Sequence, residues 1–205
     1  MRHTTFLIIL LLGISLLGYG QRGSKNTQAK ADTISDTNND KAQIEKLVKQ
    51  VLKWHDINGI YTGFETNYNP KDSMAIGMNL DTLKNELNEL RKSDLFDKEF
   101  IDNYNKIVLK IDEKIKKSKD YAWQNGDMPS FAGADPWCDC QNIPYENPWD
   151  KIVFKFLSID KENADLTWTW GNSIWSKDFN YRVKAKKTNG KWRISYLQGF
   201  DINNY

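Results

Sequence analysis

Apolar residues recur at three- and four-residue spacing in three stretches and then, late in the chain, at every second residue. Ile44, Leu47, Val48, Val51 and Leu52 form the first stripe. They predict an amphipathic helix over 41–55, capped by Asn39 or Asp40 and ended by Asn58-Gly59. Leu80, Leu83, Leu87 and Leu90 predict a second helix. Phe96, Phe100, Tyr104, Ile107, Val108, Ile111 and Ile115 predict a third, running to about 117, with Ser93-Asp94 breaking the chain before it or capping it. Between the first two, residues 58–79 carry Gly, Asn and Pro70 and read as loop, with a short strand or turn around 60–66.

From 149 onward the period becomes two. Residues 149–159 predict a strand and 160–163 a turn. Ala164, Leu166, Trp168 and Trp170 then alternate with Asp165, Thr167 and Thr169. Phe179, Tyr181, Val183 and Ala185 alternate with Asp178, Asn180, Arg182 and Lys184. Asn189-Gly190 is a strong hairpin signal, and Trp192, Ile194 and Tyr196 follow it on the apolar phase. The pattern is an antiparallel meander with an aromatic face and a polar face. Helices first and sheet afterwards predict an α+β fold, with N-terminal helices packed on one face of a curved antiparallel sheet.

The start of the chain has a different logic. Arg2 and His3 precede an apolar run from Phe6 to Leu17, followed by Gly18-Tyr19-Gly20. This predicts a secretory signal peptide over 1–20, because the run is shorter than the ~20 residues of a membrane span. No cysteine follows the cleavage point, so a lipoprotein is not expected. Residues 21–40 are almost all polar and predict a flexible tether, leaving 41–205 as a single domain. The mature protein is expected outside the cytoplasm, periplasmic or extracellular, without a membrane span.

Charge adds an exclusion. The 205 residues hold 29 Lys and Arg against 27 Asp and Glu, a net charge of +2, and nothing in that balance points to nucleic acid. The basic residues of the last hairpin (Arg182, Lys184, Lys186, Lys187, Lys191 and Arg193) read as a solvated sheet face, or more sharply as a contact for an acidic glycan or lipid headgroup.

Residues 121–148 interrupt both periodicities. They hold most of the prolines and both cysteines, Cys138 and Cys140, one residue apart. In an exported protein such a pair reads as a local disulfide clasp, as free or intermolecular thiols, or as a metal or redox pair. Only Asp135 and Asp139 lie near enough in sequence to join a metal, so no metal and no cofactor is expected. Tyr121, Trp123, Phe131, Trp137, Tyr145 and Trp149 form either a recognition surface or part of the core.

Two segments carry a family resemblance. The final turn and strand, Lys187-Thr-Asn-Gly-Lys-Trp-Arg-Ile-Ser195, together with the helix-then-sheet order, resemble the nuclear transport factor/ketosteroid isomerase superfamily. The stretch Asp135-Pro-Trp-Cys-Asp-Cys-Gln-Asn-Ile-Pro144 resembles the Asp-Pro…Gln-Asp-x-Pro segment of a secreted bacterial envelope family of that fold, with Asn142 in place of Asp. The resemblance implies a cone of sheet around helices, and an exported location.

Isomerases of that superfamily hold an acid inside the cone as general base. The inward phase of this sheet carries no acid, so a base would have to be Asp56, His55 or Asp139. The expected function is therefore non-catalytic binding of a small apolar or glycan-like ligand, or of an envelope protein. Trp168, Trp170, Tyr181 and Trp192 would line the pocket, and Trp137 with its cysteine loop would gate it. The alternatives are an isomerase- or dehydratase-like enzyme, and an immunity or envelope-assembly protein that acts by surface contact.

Overall fold

Helical backbone begins well before the first apolar stripe. In the computed structural model, which describes residues 24–58, 64–127, 129, 131, 133–141, 147–171 and 179–205 (backbone alone for 24–35), α1 runs over Ser24–Asn58. The leader 1–20, Asp178 and Tyr145 lie outside the described residues. Residues 24–36 fall in one unit and 37–205 in another. In the first, 24–36 is helical, where the sequence pattern predicts a tether. Gln28, Ala29, Lys30 and Ala31 are good helix formers, and a helix once nucleated gains one hydrogen bond per added residue.

All other features belong to the second unit. Because α1 runs through it, Asp40 is not a cap. Its carboxylate instead accepts hydrogen bonds from Lys187 Nζ (2.7 Å) and Trp192 Nε1 (2.9 Å). Ile44, Leu47, Val48, Val51 and Leu52 are buried as the stripe predicts. The loop after α1 contains a small sheet: β1 (Thr66–Tyr68) pairs antiparallel with β2 (Ala75–Met78).

Helix α2 (Leu80–Ser93) starts at Asn79, whose side chain accepts from the amides of Asp81 and Thr82. It ends at Asp94 in the left-handed region (φ 56°). Helix α3 (Lys98–Lys117) starts at Asp97, which accepts from Glu99 N. Between the two helices, Leu95–Asp97 lies parallel to the last strand: Ile194 N donates to Leu95 O and Asp97 N to Ile194 O. That short pairing fixes the first turn of α3 beside the sheet.

The main sheet is an antiparallel meander, β3 (Val153–Ile159), β4 (Asn163–Thr169), β5 (Tyr181–Thr188) and β6 (Lys191–Leu197), in that spatial order. Strand β3 begins four residues later than the pattern predicts, because Pro148–Asp150 forms a 3-10 turn. Asn189 (φ 53°) and Gly190 (φ 76°) make the expected tight hairpin. The architecture is α+β: among the described residues, three α-helices, this four-stranded sheet and the β1–β2 pair. One hydrophobic cluster joins the stripes of α1, α2 and α3 to the inward residues of β4, β5 and β6. No helix among the described residues is long and apolar enough to cross a membrane.

One register change alters which residues face the helices. Lys184 pairs with Tyr196 and Ala185 with Ile194, so Ser195 is an extra residue, a bulge. A one-residue insertion exchanges the two faces of everything beyond it. Leu197 therefore points inward and is buried, while Tyr196, expected on the aromatic phase, stands on the polar face.

Candidate functional site

The residues expected to line a pocket lie in the core. Trp168, Trp170, Tyr181 and Trp192 are exposed by 1%, 2%, 0% and 3%. Trp168 contacts Trp170 edge-on (centroids 5.0 Å apart), Tyr181 (5.4 Å) and Trp149 (6.2 Å). The Trp192 indole donates to Asp40, with Lys187 over its ring. Tyr181 donates from its hydroxyl to Pro136 O (2.6 Å) and accepts from Gly199 N (3.1 Å), and burial pushes its phenol well above the usual range. Trp168 Nε1 is buried with no hydrogen-bond partner among the described residues. None of these four residues lines the polar-face groove or the smaller clefts beside α1 and beside Asp139.

Trp137, expected to gate a pocket, is buried among other rings. It is 1% exposed and stacks on His55 at 4.8 Å, ringed by Trp54, Phe96, Phe100 and Phe200. The loop around it is pinned at several points. Cys138 and Cys140 form a disulfide (Sγ–Sγ 1.94 Å), which is the clasp alternative. Asp135 N donates to Cys140 O, and Asp135 Oδ1 accepts from Trp137 N. A Cβ on residue 199 would lie 1.9 Å from Pro136 O, so only glycine allows this approach of the loop to the end of β6.

The three candidate bases are each held by a neighbour. Asp56 accepts from the Trp149 indole. His55 Nε2 lies 3.3 Å from Asp135 Oδ2, and Nδ1 is buried without a partner among the described residues. Asp139, left-handed at φ 52°, accepts from Gln198 Nε2 and borders a cleft of about 350 Å³ with Phe131, Pro136 and Tyr205. The structure does not bring the three together on one cavity.

A large concavity lies on the opposite, polar face. It is a groove of about 860 Å³ between that face and the first turns of α3. Its floor is a row of residues in register across all four strands: Ser158 opposite Asp165, Asp165 opposite Lys184, Lys184 opposite Tyr196. Asn163, paired with Lys186, forms the next row. The wall is Asp97, Lys98, Glu99, Asp102, Asn103 and Lys106. Cross-strand partners sit within side-chain reach, so the floor is one continuous polar strip.

Most charges here are paired. Asp165 takes a two-pronged contact from Arg182 (2.9 and 2.5 Å), which outweighs partial burial and holds its carboxyl below the usual range. Lys98 pairs with Asp102 and Lys186 with Glu99. Asp97 has one oxygen on Glu99 N and the other on Thr188 Oγ1. Lys106 and Lys184 have no ion-pair partner among the described residues; Lys184 Nζ sits 5.3 Å over the Tyr196 ring.

No family model, curated protein or solved structure matches this chain. Sequence reasoning did place Lys184, Lys186 and Asp165 on the polar phase. It missed Tyr196, whose face depends on a bulge that no residue type announces. It also missed the α3 wall, whose position depends on the pairing of Leu95–Asp97 with β6.

Proposed function

We propose that the chain is an exported, non-catalytic binding protein on a nuclear transport factor-like cone, and that it binds through the polar groove. The leader pattern of residues 1–20 supports export, and the order of three helices then a meander supports the fold. One observation carries the choice of site. The large concavity lies on the polar face, while the aromatic face is filled by its own side chains. A volume of about 860 Å³ falls within the ~300–1,000 Å³ usual for ligand sites. Asp56, His55 and Asp139 do not line the groove, so the geometry favours binding over the isomerase alternative.

The test is hydrogen–deuterium exchange of the full chain, alone and with a soluble extract of its host's cell envelope. Added protection over 97–106, 158–165 and 184–196 is expected. Protection confined to 131–141 and 198–205, around the Asp139 cleft, would move the site. No protection anywhere would overturn the binding proposal.

A further inference from the structure

Taking the groove as the binding site, as proposed above, we infer that its ligand is a hydroxyl-rich oligosaccharide bearing carboxylates, with Lys106 and Lys184 as the carboxylate contacts. The floor belongs mostly to β4 and β5, central strands whose backbone groups are bonded on both sides. A peptide added as a strand needs a free sheet edge, and these two strands offer none. Recognition there rests on side chains alone.

Those side chains are the wrong kind for a lipid tail or for the apolar anchors of a protein partner. Apart from the Tyr196 ring, the apolar lining is Ala164 and Ala185. Charged side chains of both signs make up most of the lining, and Ser158 and Asn163 on the floor and Asn103 on the wall, whose Nδ2 already donates to Phe200 O, add hydroxyl and amide groups of the kind that pair with sugar hydroxyls. Nucleic acid is disfavoured because the chain's net charge of only +2 provides no broad basic surface for a long phosphate backbone to follow.

The acidic character of the ligand follows from which charges are already engaged. Every carboxylate of the groove holds a partner, whereas Lys106 on the wall and Lys184 on the floor are unpaired. A ligand entering the groove therefore meets two ammonium groups without a salt-bridge partner, and one carboxylate, Asp97, held only by neutral donors. Uronate residues supply carboxylates along a chain of hydroxyls, and a compact ammonium suits such a point contact.

The test is calorimetric titration of the full chain with tetragalacturonate and with cellotetraose, a neutral tetramer. It is repeated on the double variant Lys106→Gln, Lys184→Gln, whose thermal midpoint is measured in parallel. The expected result is tetragalacturonate binding at least about tenfold tighter than the neutral tetramer, weakened by added salt, and reduced about tenfold or more in the double variant at unchanged midpoint. Equal binding of both tetramers, unaffected by the substitutions, would overturn the role of the lysines. Binding of neither tetramer would overturn the saccharide assignment. The groove itself would still stand if envelope extract protects residues 97–106 and 184–196, and would fall with the saccharide if it does not.

Discussion

The two faces of the four-stranded sheet use the same strands for opposite ends. On one face Trp168, Tyr181, Val183, Trp192 and Ile194 are removed from water and packed against helices. On the other face Asp165, Arg182, Lys184 and Tyr196 stay partly or fully exposed and pair with one another. Aromatic residues on the first face invite a binding role because rings make good ligand walls. Rings that touch other rings at 5 to 6 Å and are 0–3% exposed leave no wall to offer. The contrast teaches that aromatic density marks where this chain stabilises itself, and it is the reason the proposed site is placed on the concave polar surface.

The largest effect should come from the packed face. Trp137→Ala removes the ring caged by His55, Trp54, Phe96, Phe100 and Phe200 and should cost about 3–5 kcal/mol by urea unfolding. A loss under about 1 kcal/mol would mean that the loop is loosely held and that Trp137 gates after all.

Asp40→Ala leaves the buried Trp192 indole without its acceptor and should cost about 1–3 kcal/mol. The same carboxylate makes stability pH-dependent. Burial opposes its charge, but the bonds from Lys187 and Trp192 and the Lys187 charge together outweigh that, and its pKa is lowered from 3.8. A depressed folded pKa gives stability that is present above the unfolded value and lost as pH falls through the folded one. Urea midpoints below about pH 4 should therefore fall more steeply in the wild type than in Asp40→Ala.

Reducing the Cys138–Cys140 bond should cost less than losing Trp137. It closes a loop of only three residues, and the chain-entropy estimate for so short a loop is about 1.5 kcal/mol. If reduction unfolds the protein outright, the disulfide rather than Trp137 holds the loop.

Glu86 sharpens the comparison from a different side. It accepts from the buried Tyr104 hydroxyl at 2.9 Å. Burial raises its pKa above 4.5, against the Tyr104 bond and helped by the Glu65 charge. A raised folded pKa gives stability that is present below the unfolded value and lost as pH rises through the folded one. Glu86→Gln should flatten that limb of the pH profile and be at least as stable as wild type at neutral pH. A clear loss there would show that the charge itself is needed.

The smallest stability effect belongs to the polar face. Lys106→Gln with Lys184→Gln should change the unfolding free energy by no more than about 0.5 kcal/mol, because neither ammonium is ion-paired. A larger cost would make the groove a structural feature.

The elements with strong periodicity were legible in advance: the apolar stripe of α3, the alternation of β4 and β5, and Asn189-Gly190 at the last hairpin. What escaped depends on interactions between distant segments. The start of α1 is set by helix propagation rather than by a cap. The β1–β2 pair joins residues that show no alternation of their own. Tyr196 changes face through a bulge at Ser195, and the groove's wall exists because residues 95–97 pair with a strand a hundred positions later. The candidate site is built mostly from such long-range events. Its charges could be read from the sequence, but their convergence on one groove could not.

Hydrogen exchange of the tryptophan indole N–H groups, followed by two-dimensional NMR, tests the contrast most directly. A sealed aromatic face predicts that Trp168 and Trp192 indoles exchange as slowly as the most protected amides of β4 and β5. Indole exchange within minutes, while those amides remain protected, would mean that water reaches the aromatic face of the folded protein, and that a ligand-admitting cavity lies where a solid core has been described.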